Sequence, residues 1–96
     1  MRVRIRAEAK DDLSAIRRWI ARDNPVRART FVGELRTRME ALSEYSRRGQ
    51  RMFDTPAGSV HKLVHGNYII YYRVGTDVVE VLGVRHARRS DAGWPP

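Results

Sequence analysis

Between Glu8 and Leu42 the apolar residues fall into two helical stripes broken at a single point, Asn24-Pro25, and this pattern constrains the fold more than any other feature. In the first stripe Ala9, Leu13, Ile16 and Ile20 stand four, three and four residues apart, with Trp19 at its flank. That spacing predicts one buried side of a helix running from Glu8 to Arg22. In the second, Ala28, Phe31, Val32, Leu35, Met39 and Leu42 keep a three-or-four spacing through about five turns. Asn caps a helix with its side-chain oxygen and Pro suits the first helical position, so Asn24-Pro25 ends one helix and starts the next. Two amphipathic helices joined by so short a link predict an antiparallel hairpin over about residues 8–46, with both stripes facing a common sheet.

The rest of the chain supplies that sheet. Arg2 to Arg6 alternate arginine with Val3 and Ile5, the pattern of a half-buried strand. Three β-rich runs, Val60 to Val64, Tyr68 to Val74 and Val78 to His86, are separated by His65-Gly66-Asn67 and Gly75-Thr76-Asp77, and predict a three-stranded meander. The stretch 46–59 carries two glycines, a proline and several charges with no clear period, and reads as a mobile loop. The tail, 87–96, reads as irregular. The predicted order is therefore β-α-α-β-β-β, an α+β fold of one domain over residues 1–96, with a helical hairpin on a mostly antiparallel sheet from 2–6 and 60–86. Its core should bring Leu13, Ile16, Ile20, Phe31, Leu35, Met39 and Leu42 against Val3, Ile5, Leu63, Ile70, Val81 and Val84.

Composition narrows the chemistry. Cysteine is absent, which removes disulfides, thiolate metal sites and a cysteine nucleophile, and fits a reducing cytoplasm. No apolar run approaches the roughly 18 residues of a membrane span, and the N-terminus alternates charge with apolar residues, so a soluble, cytoplasmic protein is expected. Three scattered histidines without close ligand spacing predict neither a metal nor a cofactor site. Nineteen Lys and Arg against eleven Asp and Glu give a net charge of +8, which implies an acidic partner, protein or nucleic acid, without choosing between them.

Four motifs occur in order: Ala9-x-x-Asp12-Leu13-x-x-Ile16, Asn24-Pro25-x-x-Ala28, the hairpin from Gly66 to Tyr72-Arg73-Val74, and His86-Ala87-Arg88-Arg89 closing the last strand. Together with Gly49 in the loop, this combination resembles the ParE/RelE toxin superfamily over nearly the whole chain. The resemblance implies a growth-inhibiting toxin neutralised by a cognate, acidic antitoxin that wraps its surface. It also implies two classes of target, since ParE-like members are described as inhibitors of DNA gyrase and RelE-like members as cutting mRNA in the ribosomal A site.

Residues distinguish the two. Metal-independent RNA cleavage needs a base for the ribose 2′-hydroxyl, an acid for the leaving oxygen, and cations for the phosphorane. A catalytic reading centres on His86, Arg85 and Arg73. Against it, Ile69 stands where active RelE-like enzymes commonly carry a basic residue, and Ala87 follows His86. Tyr68, Tyr71 and Tyr72 read as packing residues on their β-propensity. The preferred reading is a target-binding cationic edge of Arg73, Arg85, His86, Arg88 and Arg89, with Arg73 beside the others across the meander. A plain basic nucleic-acid-binding module is a further alternative. His61 and His65 read as exposed, loop-proximal residues, with His61 standing where many superfamily members carry an arginine. The helix arginines, Arg17, Arg18, Arg22, Arg27, Arg29, Arg36 and Arg38, read as solvated faces without interleaved stacking aromatics. A membrane-surface role is not expected, because both apolar stripes are needed to cover the sheet.

Overall fold

The break at Asn24-Pro25 does what its chemistry requires. Helix α1 spans Ala7–Ala21 and helix α2 spans Pro25–Glu40, continued by a 3-10 turn at Ala41–Ser43. Asn24 is the cap of α2, its side-chain oxygen accepting the Arg27 backbone N–H at 3.0 Å, and Pro25 opens the helix where its missing N–H costs nothing. The computed structural model describes residues 1–89 and 93–95. Of the tail expected to be irregular, a turn follows His86 and Gly93 to Pro95 lack regular structure; Ser90 to Ala92 and Pro96 lie outside the described residues.

Five strands follow the order β1-β5-β4-β3-β2: β1 is Arg2–Ile5, β2 Gln50–Thr55, β3 Gly58–His65, β4 Tyr68–Val74 and β5 Val78–His86. The meander pairs antiparallel, while β1 runs parallel to β5, so the sheet is mostly antiparallel as expected. The observed order is β-α-α-β-β-β-β, because the segment read as a loop contains β2. That strand pairs with β3 from Gln50↔Lys62 to Thr55↔Gly58, with a bulge between Arg51 and Phe53. It sits at the sheet edge with nearly all its side chains exposed, so it has no buried face to impose an apolar alternation, and the bulge breaks what period remains.

All thirteen residues expected in the core meet there. Leu13, Ile16, Phe31, Leu35, Met39, Leu42, Leu63, Ile70, Val81 and Val84 are buried in one cluster, with Val3, Ile5 and Ile20 half-buried against it. Tyr72, Val74 and Val79 join them. Because side chains alternate across a strand, the residues between these positions project from the opposite, helix-free face.

Candidate functional site

That helix-free face carries most of the charged strand residues, and the register sorts them into rows. Arg4, Glu80, Arg73 and Val60 lie opposite one another across four strands. Arg73 donates to Glu80 at 3.0 Å, and Arg4 approaches the other carboxylate oxygen at 3.8 Å. At the other end of the face, Val64, Ile69 and Arg85 form a second row. Arg73 is thus opposite Glu80, five positions along β5 from Arg85 or roughly 17 Å at strand rise, and does not stand beside it. This corrects the expected edge: Arg85, His86, Arg88 and Arg89 gather at the end of β5, while Arg73 belongs with Arg4 and Glu80.

Arg85 is not a freely solvated cation. Its guanidinium pairs with Asp12 of α1 and lies 4.0 Å from the centroid of the Trp94 ring, which packs edge-on against Tyr71 at 4.8 Å. Asp12 accepts a second bond, from the backbone N–H of Val84 at 2.9 Å. The donor needs it: β1 pairs with β5 only as far as Val81, so the last residues of β5 have no strand on that side. Gly83 is required here, since a Cβ would come within 2.7 Å of the Trp94 ring and 2.8 Å of the Asp12 carboxylate.

His86 faces Tyr68, the two rings meeting edge-on at 5.2 Å. Its Nδ1 accepts the backbone N–H of Arg88 at 3.2 Å, which makes Nε2 the proton-bearing nitrogen of the neutral ring. Both Arg88 and Arg89 are exposed in the turn beyond.

The other two histidines correct the expectation of exposure. His61 is 2% exposed, stacked on Tyr72 at 5.2 Å and within 2.9 Å of the Ser59 hydroxyl. Tyr72 itself accepts the Gly49 N–H at 2.8 Å. Gly49 has no room for a side chain, as a Cβ would lie 2.6 Å from the Lys62 carbonyl and 2.7 Å from the Tyr72 hydroxyl. His65 is half-buried; its Nδ1 lies 3.1 Å from Arg38 and its Nε2 3.0 Å from Glu34, which also binds Arg27 at 2.6 Å. The bonds from Arg27 and then His65 hold the Glu34 carboxyl below its ordinary range. Tyr72 is fully buried and Tyr68 partly so, and burial raises both phenols, keeping them protonated at neutral pH.

The helix arginines are exposed except Arg38, but two of them do meet aromatics, contrary to the sequence reading. Arg22 lies 5.0 Å from the Trp19 ring centroid and Arg27 5.1 Å from that of Phe31. Trp19, 63% exposed, borders a cleft of about 400 Å³ shared with Ile20, Phe31, Asn67, Tyr68 and His86. Asp12 and Trp94, which organise Arg85, were assigned no role from sequence. The signal for Asp12 was present in the Ala-x-x-Asp-Leu-x-x-Ile motif; Trp94 had none. Among the described residues no three His, Asp or Glu side chains gather as a metal site, and no helix is long and apolar enough to cross a membrane.

Comparison with known proteins places this arrangement. The chain is 35% identical to toxin RelE2 of Caulobacter vibrioides over 78 residues, which span 81% of this chain and 85% of that protein. It is 27% identical to toxin RelE3 of the same organism over 85 residues, 88% of this chain and 92% of that one. A chain from the solved chromosomal ParDE TA system of P. aeruginosa shares the fold with a TM-score of 0.76 at 19% identity, over 90% of this chain and 95% of that one. The family model of the ParE toxin of type II toxin–antitoxin systems, parDE, matches residues 3–91, and the chain belongs to this family.

Proposed function

We propose that this toxin arrests growth by binding an essential target, DNA gyrase, without cutting RNA, and that a cognate acidic antitoxin neutralises it in the cytoplasm. The observation that carries the reading is the engagement of Arg85. The side chains a ribonuclease reading needs, His86, Arg85 and Arg73, do not converge: Arg73 pairs with Glu80 at the far end of the face, and Arg85 is held between Asp12 and Trp94. Ile69 lies directly opposite Arg85, so the row at that end offers hydrocarbon where proton transfer would need a titratable group. Arg85, His86, Arg88 and Arg89 form the target-contacting end of β5, acting through charge and shape.

The antitoxin follows from family membership and a net charge of +8. An acidic, amphipathic segment laid over such a surface gains association rate from the field, and its affinity falls as salt rises. The function is tested by inducing the chain in cells and following DNA and message together. Growth arrest with DNA breaks and full-length mRNA is expected; mRNA cleaved within codons, with unaltered DNA supercoiling, overturns the reading in favour of a ribosome-dependent endonuclease.

A further inference from the structure

The cleft beside Trp19 borders the target-contacting residues Arg85, His86 and Arg89, but Trp19 itself and the aromatic wall it shares with Phe31 and Tyr68 have no part in the target-binding reading above. Trp19 is the most exposed aromatic side chain among the exposed large hydrophobics, at 63%, although burial of an indole is favourable. It lines two hollows, of about 400 and 160 Å³, and Tyr68 and His86 line both as well. Phe31 also lines the larger one, its ring centroid 5.5 Å from that of Tyr68. The wall is therefore aromatic on several sides.

The rim is cationic. Arg27, paired on its other side with Glu34, lines the larger hollow and Arg89 the smaller, with Arg22 against the Trp19 ring. Among the described residues Asp12 is the one acidic residue lining either, and its charge is met by Arg85. Asn67 at the β3–β4 turn can hydrogen-bond an edge, as can His86, whose Nδ1 is occupied by the Arg88 backbone, leaving the Nε2 proton.

An aliphatic peptide anchor would be served by a greasy wall. Flat aromatic surfaces combined with a cationic rim and a few amide or imidazole groups instead suit a flat, polar-edged ring attached to a phosphate. We propose that this cleft takes an unpaired base of a single-stranded nucleic acid, stacked on Trp19, with the adjoining phosphates met by the surrounding arginines. A base inside a duplex is already stacked and cannot enter. The site lies at the end of the sheet next to the cationic residues of β5, so a strand bound there would run onto Arg88 and Arg89, and the proposal stands whichever target the toxin has.

The test separates base stacking from simple attraction to a basic protein. Anisotropy of labelled dT10, rU10 and an abasic decamer of the same charge is titrated with the wild-type chain, Trp19→Ala and Trp19→Phe at about 0.15 M salt, where exposed charges are largely screened. Wild type should bind dT10 or rU10 about tenfold more tightly than the abasic strand; Trp19→Ala should lose that preference and Trp19→Phe should keep much of it. The tighter of the two natural strands identifies DNA or RNA as the source of the base. Equal binding of all three strands by the wild type, or an unchanged preference in a folded Trp19→Ala protein, overturns the proposal. So does tighter, Trp19-dependent binding of a glutamate-rich decapeptide, which would make the cleft a protein-docking site.

Discussion

Asp12 and Arg85, 73 residues apart, form the ion pair that ties helix α1 to the end of strand β5, and the same carboxylate oxygen accepts the Val84 backbone N–H. One side chain thus satisfies a strand edge that β1 is too short to cover and orients a guanidinium beside the proposed contact surface. Removing it leaves the partly buried Val84 N–H without its acceptor and takes from Arg85 its ion-pair partner. Asp12→Ala is expected to cost roughly 2 to 4 kcal/mol, measured by urea unfolding, with Asp12→Asn milder because one acceptor remains. An unchanged midpoint for Asp12→Ala would show that the pair contributes nothing to the fold.

The core assignment turns on Leu35, which is fully buried at the centre of the α2 stripe. Leu35→Ala should cost roughly 2 to 5 kcal/mol, a large part of the stability of a domain this small. Equal thermal stability of the variant and the parent would refute the packing described.

Tyr72 joins the core to the start of β2 through its bond from Gly49. Tyr72→Phe keeps the ring and removes the acceptor, so roughly 1 to 3 kcal/mol should be lost and the 46–55 segment should become more open to proteolysis. The phenol is raised by burial, which fixes the sign of its pH dependence. Its stabilising effect is complete below the unfolded tyrosine value near pH 10 and is lost as pH rises toward the higher folded value. Alkaline unfolding curves of parent and variant should therefore converge, and a constant difference between them at high pH would contradict this.

Glu34 gives the opposite limb. Its carboxyl is held low by Arg27 first and His65 second, so the contribution is present above the ordinary glutamate range and disappears as pH falls through the lowered folded value. Glu34→Gln should lower stability by a constant amount between pH 6 and 8 and converge on the parent as pH falls through the lowered folded value. A difference from the parent that stays constant from neutral pH into the acid range would assign that limb to other carboxylates.

Legibility in the sequence followed burial. The hairpin, the meander and the core were readable because each element has one face in the core, and a buried face imposes a period. The β2 strand has no such face, and a bulge at Arg51 to Phe53 shifts its register, so its charges and turn residues read as a loop. The histidines misled for a related reason. His61 and His65 alternate with Leu63 on the helix side of β3, and extending the period of that strand would have placed both inward. The position of Arg73 was also countable: working outward from the Gly75-Thr76-Asp77 turn puts it near Glu80 and far from Arg85. What no local pattern held was the return of Trp94 onto Tyr71 and Arg85, a contact across the irregular tail.

The most direct test of the central claim is supercoiling by purified gyrase, set beside primer extension on message from induced cells, for the wild-type toxin, His86→Gln and the double variant Arg88→Ala with Arg89→Ala. Binding without chemistry predicts that wild type and His86→Gln inhibit supercoiling to a similar degree and leave message full length, while the double arginine variant inhibits less. Cleaved message with the wild type that becomes intact with His86→Gln, alongside undisturbed supercoiling, would contradict the account and make His86 a proton-transfer residue.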